Sequence, residues 1–173
     1  RYRRLAWSAE RGTRAKTRLL ALRLLEEESI STSRSRRTLL RIPPEARRKL
    51  GLDAPGQRRE SLMHEYWKHI YADHYLRLGY EVTIEAPRHS GRIDILARKF
   101  GESVAIEIET GKSDVVGNVR EDLRFGCQKV MVIATEAQVL IQLEKQLAQA
   151  GLLIPGRVEI HPAGQFTGDS PSR

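Results

Sequence analysis

The sequence predicts an α/β protein: a mixed β-sheet with helices on its faces, preceded by a basic segment of different character. Three observations carry that expectation. From residue 60 onward the apolar pattern alternates between helical and strand spacing in the order α-β-β-β-α-β, followed by one more helix and strand. The first three strands are joined by short turns and so pair antiparallel, whereas a helix follows the third strand and requires a crossover. The charge is also uneven: residues 1–60 hold 17 Lys and Arg against 7 Asp and Glu, and residues 61–173 hold 13 against 15.

In the basic third, "TRAKTRLLALRLLEEES" (13–29) has strong helix formers and no Gly or Pro, with leucines 19, 20, 22, 24 and 25 as an apolar stripe and Arg11, Arg14 and Arg18 on another side. "SISTSRSRRTLLRI" then reads as a hairpin: Ile30 and Thr32 lead in, Thr38 to Ile42 lead out, and Arg34, Arg36 and Arg37 make a basic tip. "PPEARRKLGL" starts a short helix at Pro44 and stops it at Gly51. "DAPGQRR" (53–59) is a linker.

In the second part, residues 60–78 place apolar and aromatic side chains at helical spacing, with Trp67, Tyr66, Tyr71 and Tyr75 as core and Gly79 as the stop. "YEVTIEA" (80–86), "RIDILAR" (92–98) and "SVAIEIE" (103–109) are strands, with "PRHSG" and "KFGE" as turns. "SDVVGNVREDLRFG" is a helix capped by Ser113 and ended by Gly126. "KVMVIAT" is a strand buried on both faces, "EAQVLIQLEKQLAQAG" an amphipathic helix and "RVEIH" a last strand. The tail from Pro162 has a disordered composition.

Acidic residues are poor strand formers, so Asp94, Glu107 and Glu109 stand out. Residues two apart on a strand share a face: Ile93 and Ile95 point one way and Asp94 the other, while Val104, Ile106 and Ile108 oppose Ala105, Glu107 and Glu109. Paired strands would gather the three carboxylates on one exposed side. Clustered carboxylates are costly without a cation, and a hard divalent ion (Mg²⁺ or Mn²⁺) prefers oxygen ligands. Two of these carboxylates with the main-chain carbonyl between Glu107 and Glu109 would suit such an ion, and Lys112 is placed to hold a phosphate or assist the water; Asn118 points either to the site or to solvent. "TGKSD" is not a phosphate-binding loop, because Ile106 stands where its first glycine belongs.

Two resemblances extend this reading. "LLALRLLEEESISTSRSRRTLLRIPPEARRKLG" resembles the recognition helix, wing and last helix of prokaryotic winged-helix DNA-binding modules. It implies that Arg11, Arg14, Lys16 and Arg18 face a DNA groove and that Arg34, Arg36 and Arg37 contact phosphates. Asp94, twelve intervening residues and then Glu107-Ile108-Glu109, within the α-β-β-β-α-β order, resemble the PD-(D/E)xK restriction-endonuclease-like superfamily. That resemblance implies a restriction-endonuclease-like fold in which Asp94 and Glu107 bind metal and the third position, Glu109 here where most members have Lys, activates water. It also implies a polar residue from the first helix at the site, for which Glu60, His64 and Glu65 are candidates. The run "YWKHIYADHYLRLGYEVTIEA" with "RIDILA" and "VAIEIETGKSDVVGNVREDL" is similar to nuclease-like domains appended to prokaryotic DNA-translocating or conjugative ATPases.

The expected organisation is a winged-helix segment at 1–52, a linker at 53–59, a nuclease-like domain at 60–161 and a tail at 162–173. The expected function is metal-dependent DNA endonuclease; the alternative is a catalytically inactive DNA-binding or assembly module. A homodimer and an ATPase are the further expected partners. No apolar run approaches the roughly 20 residues that cross a bilayer, so a cytoplasmic location is expected. A single cysteine, Cys127, excludes an internal disulfide. The first residue is Arg, which leads us to expect a piece of a longer chain.

Overall fold

The computed structural model describes residues 6–31, 36–52 and 61–165. The chain forms two compact units, residues 1–62 and 63–173.

The first unit holds helix α1 (Ala9–Ala21), strands β1 (Glu26–Ser31) and β2 (Arg36–Arg41), and helix α2 (Pro44–Lys49). Ser8 caps α1 by accepting the Arg11 N–H at 3.2 Å. The helix expected to run to residue 29 stops at Ala21 instead. Arg23 turns left-handed (φ 53°), and the Leu24 and Leu25 N–H groups return to the Leu19 carbonyl. The triple glutamate that follows is strand, stabilised by charge across the pleat. Glu26 lies opposite Arg41 and pairs with it at 2.8 Å, and Glu27 pairs with Lys16 of α1 at 2.7 Å. β1 and β2 form the expected antiparallel hairpin, and α2 begins on Pro44 and ends before Gly51, whose φ of 65° suits glycine. The hairpin tip with Arg34, the linker 53–59 and Glu60 lie outside the described residues, as does the tail from residue 166.

The second unit is a five-stranded mixed sheet of order β3-β4-β5-β6-β7. Its elements are α3 (Leu62–Arg77), β3 (Glu81–Arg88), β4 (Gly91–Lys99), β5 (Glu102–Glu109), α4 (Val115–Arg124), β6 (Lys129–Ala134), α5 (Ala137–Gln149) and β7 (Val158–Pro162). β3, β4 and β5 pair antiparallel; β6 joins β5 and β7 in parallel, as the crossover helices require.

Two apolar layers hold the sheet. Trp67, Tyr71 and Tyr75 of α3 pack on one face against Ile95, Ile106, Ile108 and Ile133. Val115 and Val119 of α4 and Leu143 and Leu147 of α5 pack on the other, against Leu96, Ala105, Val130 and Val132. Burial of a side chain such as Leu or Val contributes about 1.5–3 kcal/mol, so these layers dominate the unit's stability. β6 is buried on both faces, as its apolar run predicts.

Three expectations need correction here. "PRHSG" is not all turn: β3 continues to Arg88, which pairs with Gly91, leaving His89 and Ser90 as a two-residue turn. Ile93 and Ile95 do not share a layer; Ile93 packs with the α4 side and Ile95 with the α3 side. The chain at 162–165 is ordered into the fold, since Pro162 pairs with Ala134 and the Ala163 N–H donates to the Ala134 carbonyl. Among the described residues no helix is long and apolar enough to cross a membrane.

Candidate functional site

The site lies where β4 and β5 part. Their pairing proceeds to Ile95 opposite Ile106, and two further residues of the same register would set Ile108 opposite Ile93. Instead the Ile108 N–H donates to the Asp94 carboxylate at 2.8 Å. A side chain has replaced a ladder carbonyl, and the strands splay around it. That splay explains why Ile93 and Ile95 fall into different layers. Across β4, the ladder runs Ile84 to Ile95 and Ala86 to Ile93, and between them Glu85 adopts a left-handed φ of 55°. Such a backbone is rare in a non-glycine strand residue. Lys68 of α3 bonds Glu85, and Arg92 stands 3.6 Å from it.

His64, one turn before Lys68 on α3, reaches the site: its Nε2 lies 3.0 Å from the same Asp94 oxygen that Ile108 holds. Asp94 is thus fixed from both sides, by a backbone amide and by an imidazole. Glu65 is exposed.

Glu107 and Glu109 share a face, as their spacing predicts, but that face is not exposed. α4 covers it, leaving Glu107 4% and Glu109 2% accessible. Glu109 accepts hydrogen bonds from the Ser113 hydroxyl and from Asn118 Nδ2, the latter at 3.5 Å. Burial raises the Glu109 carboxyl above its ordinary value, and these two donors oppose the rise. Ser113 is therefore a partner of Glu109 rather than the helix cap; Asp114 caps α4 through the Gly117 N–H at 3.0 Å.

Glu107 faces Asp122 of α4, and Arg88 from the end of β3 stands beside both. Arg88 donates to Asp122 Oδ1, to the Asn118 carbonyl at 3.3 Å and to Asn118 Oδ1 at 2.9 Å, with its Nη1 3.6 Å from Glu107 Oε1. Glu107 Oε1 and Asp122 Oδ2 are buried without a donor. Burial, then the charges of Asp122 and Asp94, hold the Glu107 carboxyl well above the usual range. Burial likewise lifts Asp122 to about 6 against the pull of Arg88.

Sequence reasoning missed Arg88 and Asp122. Asp122 had a signal: Val115, Val119 and Asp122 follow i, i+4, i+7 spacing, which puts a carboxylate on the buried face of an amphipathic helix. Arg88 had none, because "PRHSG" reads as a turn in sequence. Lys112 is exposed on the Thr110–Asp114 connection and has no ion pair with the carboxylates among the described residues. The buried cation beside Glu107 and Asp122 is Arg88.

In chemistry, the donor set suits a hard divalent cation: carboxylate oxygens, one of them buried with nothing donating to it. Among the described residues no three His, Cys, Asp or Glu side chains stand in a ligating group.

In the first unit, Arg11, Arg14 and Arg18 are exposed along α1; Arg11 stacks 5.0 Å over Trp7 and Arg14 pairs with Glu10 at 2.6 Å. Lys16 is half-buried, with its ammonium 2.7 Å from Glu27. Arg37 is half-buried on β2. The Arg36 side chain lies outside the described residues, with Arg34.

Comparison with known proteins finds no matching family model, no similar curated protein and no similar solved structure.

Proposed function

We propose that the chain is a metal-dependent DNA endonuclease of PD-(D/E)xK type, with the basic first unit supplying affinity for the duplex. One observation carries the reading. Where β4 and β5 part, Asp94 holds the Ile108 amide, while Glu107 and Glu109 lie buried under α4 with their carboxyls raised by burial and a Glu107 oxygen without a donor. Buried like charges of this kind are expensive in a purely structural role.

Asp94 and Glu107 would hold Mg²⁺ or Mn²⁺, which would supply charge neutralisation at the phosphate and a more acidic water. Glu109 takes the proton from the attacking water: it is kept as an acceptor by Ser113 and Asn118, and its raised pKa makes it a stronger base than an exposed glutamate. His64 fixes the Asp94 carboxylate by donating from Nε2. Arg11, Arg14 and Arg18 meet the DNA backbone from the exposed side of α1, a contact that positions without reading sequence.

A second reading rests on Arg88. This buried guanidinium already neutralises part of the cluster, so the fold could persist as a DNA-binding or assembly module without turnover, for instance beside a DNA-translocating ATPase. Nicking of supercoiled plasmid in Mg²⁺ and in Mn²⁺ separates the two. Metal-dependent cutting that Asp94→Ala and Glu107→Ala each reduce by about 100-fold or more supports the enzyme. Retarded but uncut DNA in every metal supports the module.

A further inference from the structure

We propose that Arg88 is a positioning residue for Glu109 and acts on it through Asn118. The inference rests on the hydrolytic reading for what Glu109 does, but not for how it is held. A guanidinium is donor-only, so the Asn118 atom 2.9 Å from Arg88 Nη2 must be the carbonyl oxygen Oδ1. That settles the amide orientation: the NH₂ group is left facing Glu109 Oε1, at 3.5 Å. Reversing the amide would set two donors against each other at Arg88 and two acceptors against each other at Glu109.

Arg88 is itself clamped. Its Nη1 donates to Asp122 and to the Asn118 main-chain carbonyl, and its side chain is 5% exposed. The planar fork therefore spans two residues one turn apart on α4, Asn118 and Asp122. A lysine at this position keeps the charge but, as a single point donor, cannot impose that geometry. Buried this deeply, Arg88 does not reach a substrate, so its influence on the reaction passes through Asn118 to Glu109.

The test uses the full chain carrying Arg88→Lys, Asn118→Ala, both together, and Asn118→Asp. The last keeps an acceptor for Arg88 and replaces the donor to Glu109 with a carboxylate oxygen, so it stays informative if Arg88→Lys fails to fold. In the native protein the Asn118 side-chain amide protons exchange slowly; in Arg88→Lys they lose that protection, and the Glu109 carboxyl carbon resonance shifts alike in Arg88→Lys and Asn118→Ala. At saturating Mn²⁺, cleavage falls roughly 10–100-fold in each single variant, Asn118→Asp included, and no further in the double variant.

Unaltered amide protection in Arg88→Lys, full cleavage by Asn118→Asp, or losses that multiply in the double variant would overturn the proposal. A native protein that cuts no DNA defeats the hydrolytic reading alone; the amide and carboxyl resonances still decide whether Arg88 sets Asn118 and Glu109.

Discussion

Arg14 in the first unit pairs with Glu10 and Arg88 in the second pairs with Asp122 beside Glu107, and the two pairs do opposite kinds of work. Arg14 and Glu10 are 77% and 82% exposed on the surface of α1; Arg88 and Asp122 are 5% and 0% exposed beneath α4. Water already solvates the first pair, so its attraction is screened and each partner survives the loss of the other. The second pair has no water to fall back on. Either charge alone would be stranded in a low-dielectric interior. The same residue types thus serve as a solvated basic surface in one unit and as the electrostatic frame of a site in the other.

The largest expected effect tests the buried side of that contrast. Arg88→Ala should destabilise the second unit by about 3–5 kcal/mol in urea unfolding, since Asp122 and Glu107 lose their only near cation among the described residues. A loss below about 1 kcal/mol, the range of an exposed pair, would erase the distinction.

Next is Glu107→Gln, which separates stability from function. The folded Glu107 carboxyl titrates well above its unfolded value, so the native state binds the extra proton. Stability from this group is therefore highest below the unfolded pKa and is lost as pH rises toward the folded one. The amide variant should melt higher than the native protein at pH 8, match it near pH 4, and fail to cut DNA. A lower melting temperature at pH 8 would mean that the carboxylate is stabilised by something other than its neighbours.

The first unit is tested by salt. Deleting residues 1–52 should remove most DNA affinity in gel retardation, and the intact chain should bind with a steep fall as salt rises, because phosphate contacts release counter-ions. Equal binding by the shortened chain would move the interface elsewhere. Smallest of all, Glu10→Ala should change unfolding free energy by less than about 0.5 kcal/mol.

Much of the architecture was legible because periodicity reports which residues share a face. The strand parity of Glu107 and Glu109, the aromatic stripe of α3 and the doubly buried β6 all follow from spacing alone. Local turns were less legible. α1 stops at Ala21 although leucines continue, because Arg23 adopts a left-handed backbone and the glutamates find cations across the hairpin. Good helix propensity gave way to pairing. Ser113 reads as a cap in sequence, yet its hydroxyl is used by Glu109 four residues back, and Asp114 takes the cap.

By itself, then, the sequence determined the α-β-β-β-α-β order and the presence of carboxylates on two neighbouring strands, because both are set by residue type at periods of two and 3.6. Only tertiary structure decided that those carboxylates are buried, that β4 splays so that Asp94 meets Ile108 and His64, and that Arg88 is the cation among them. Burial and ion pairing depend on which distant segment packs over a face. Arg88 and Asp122 are 34 residues apart in the chain, a separation that no local pattern encodes.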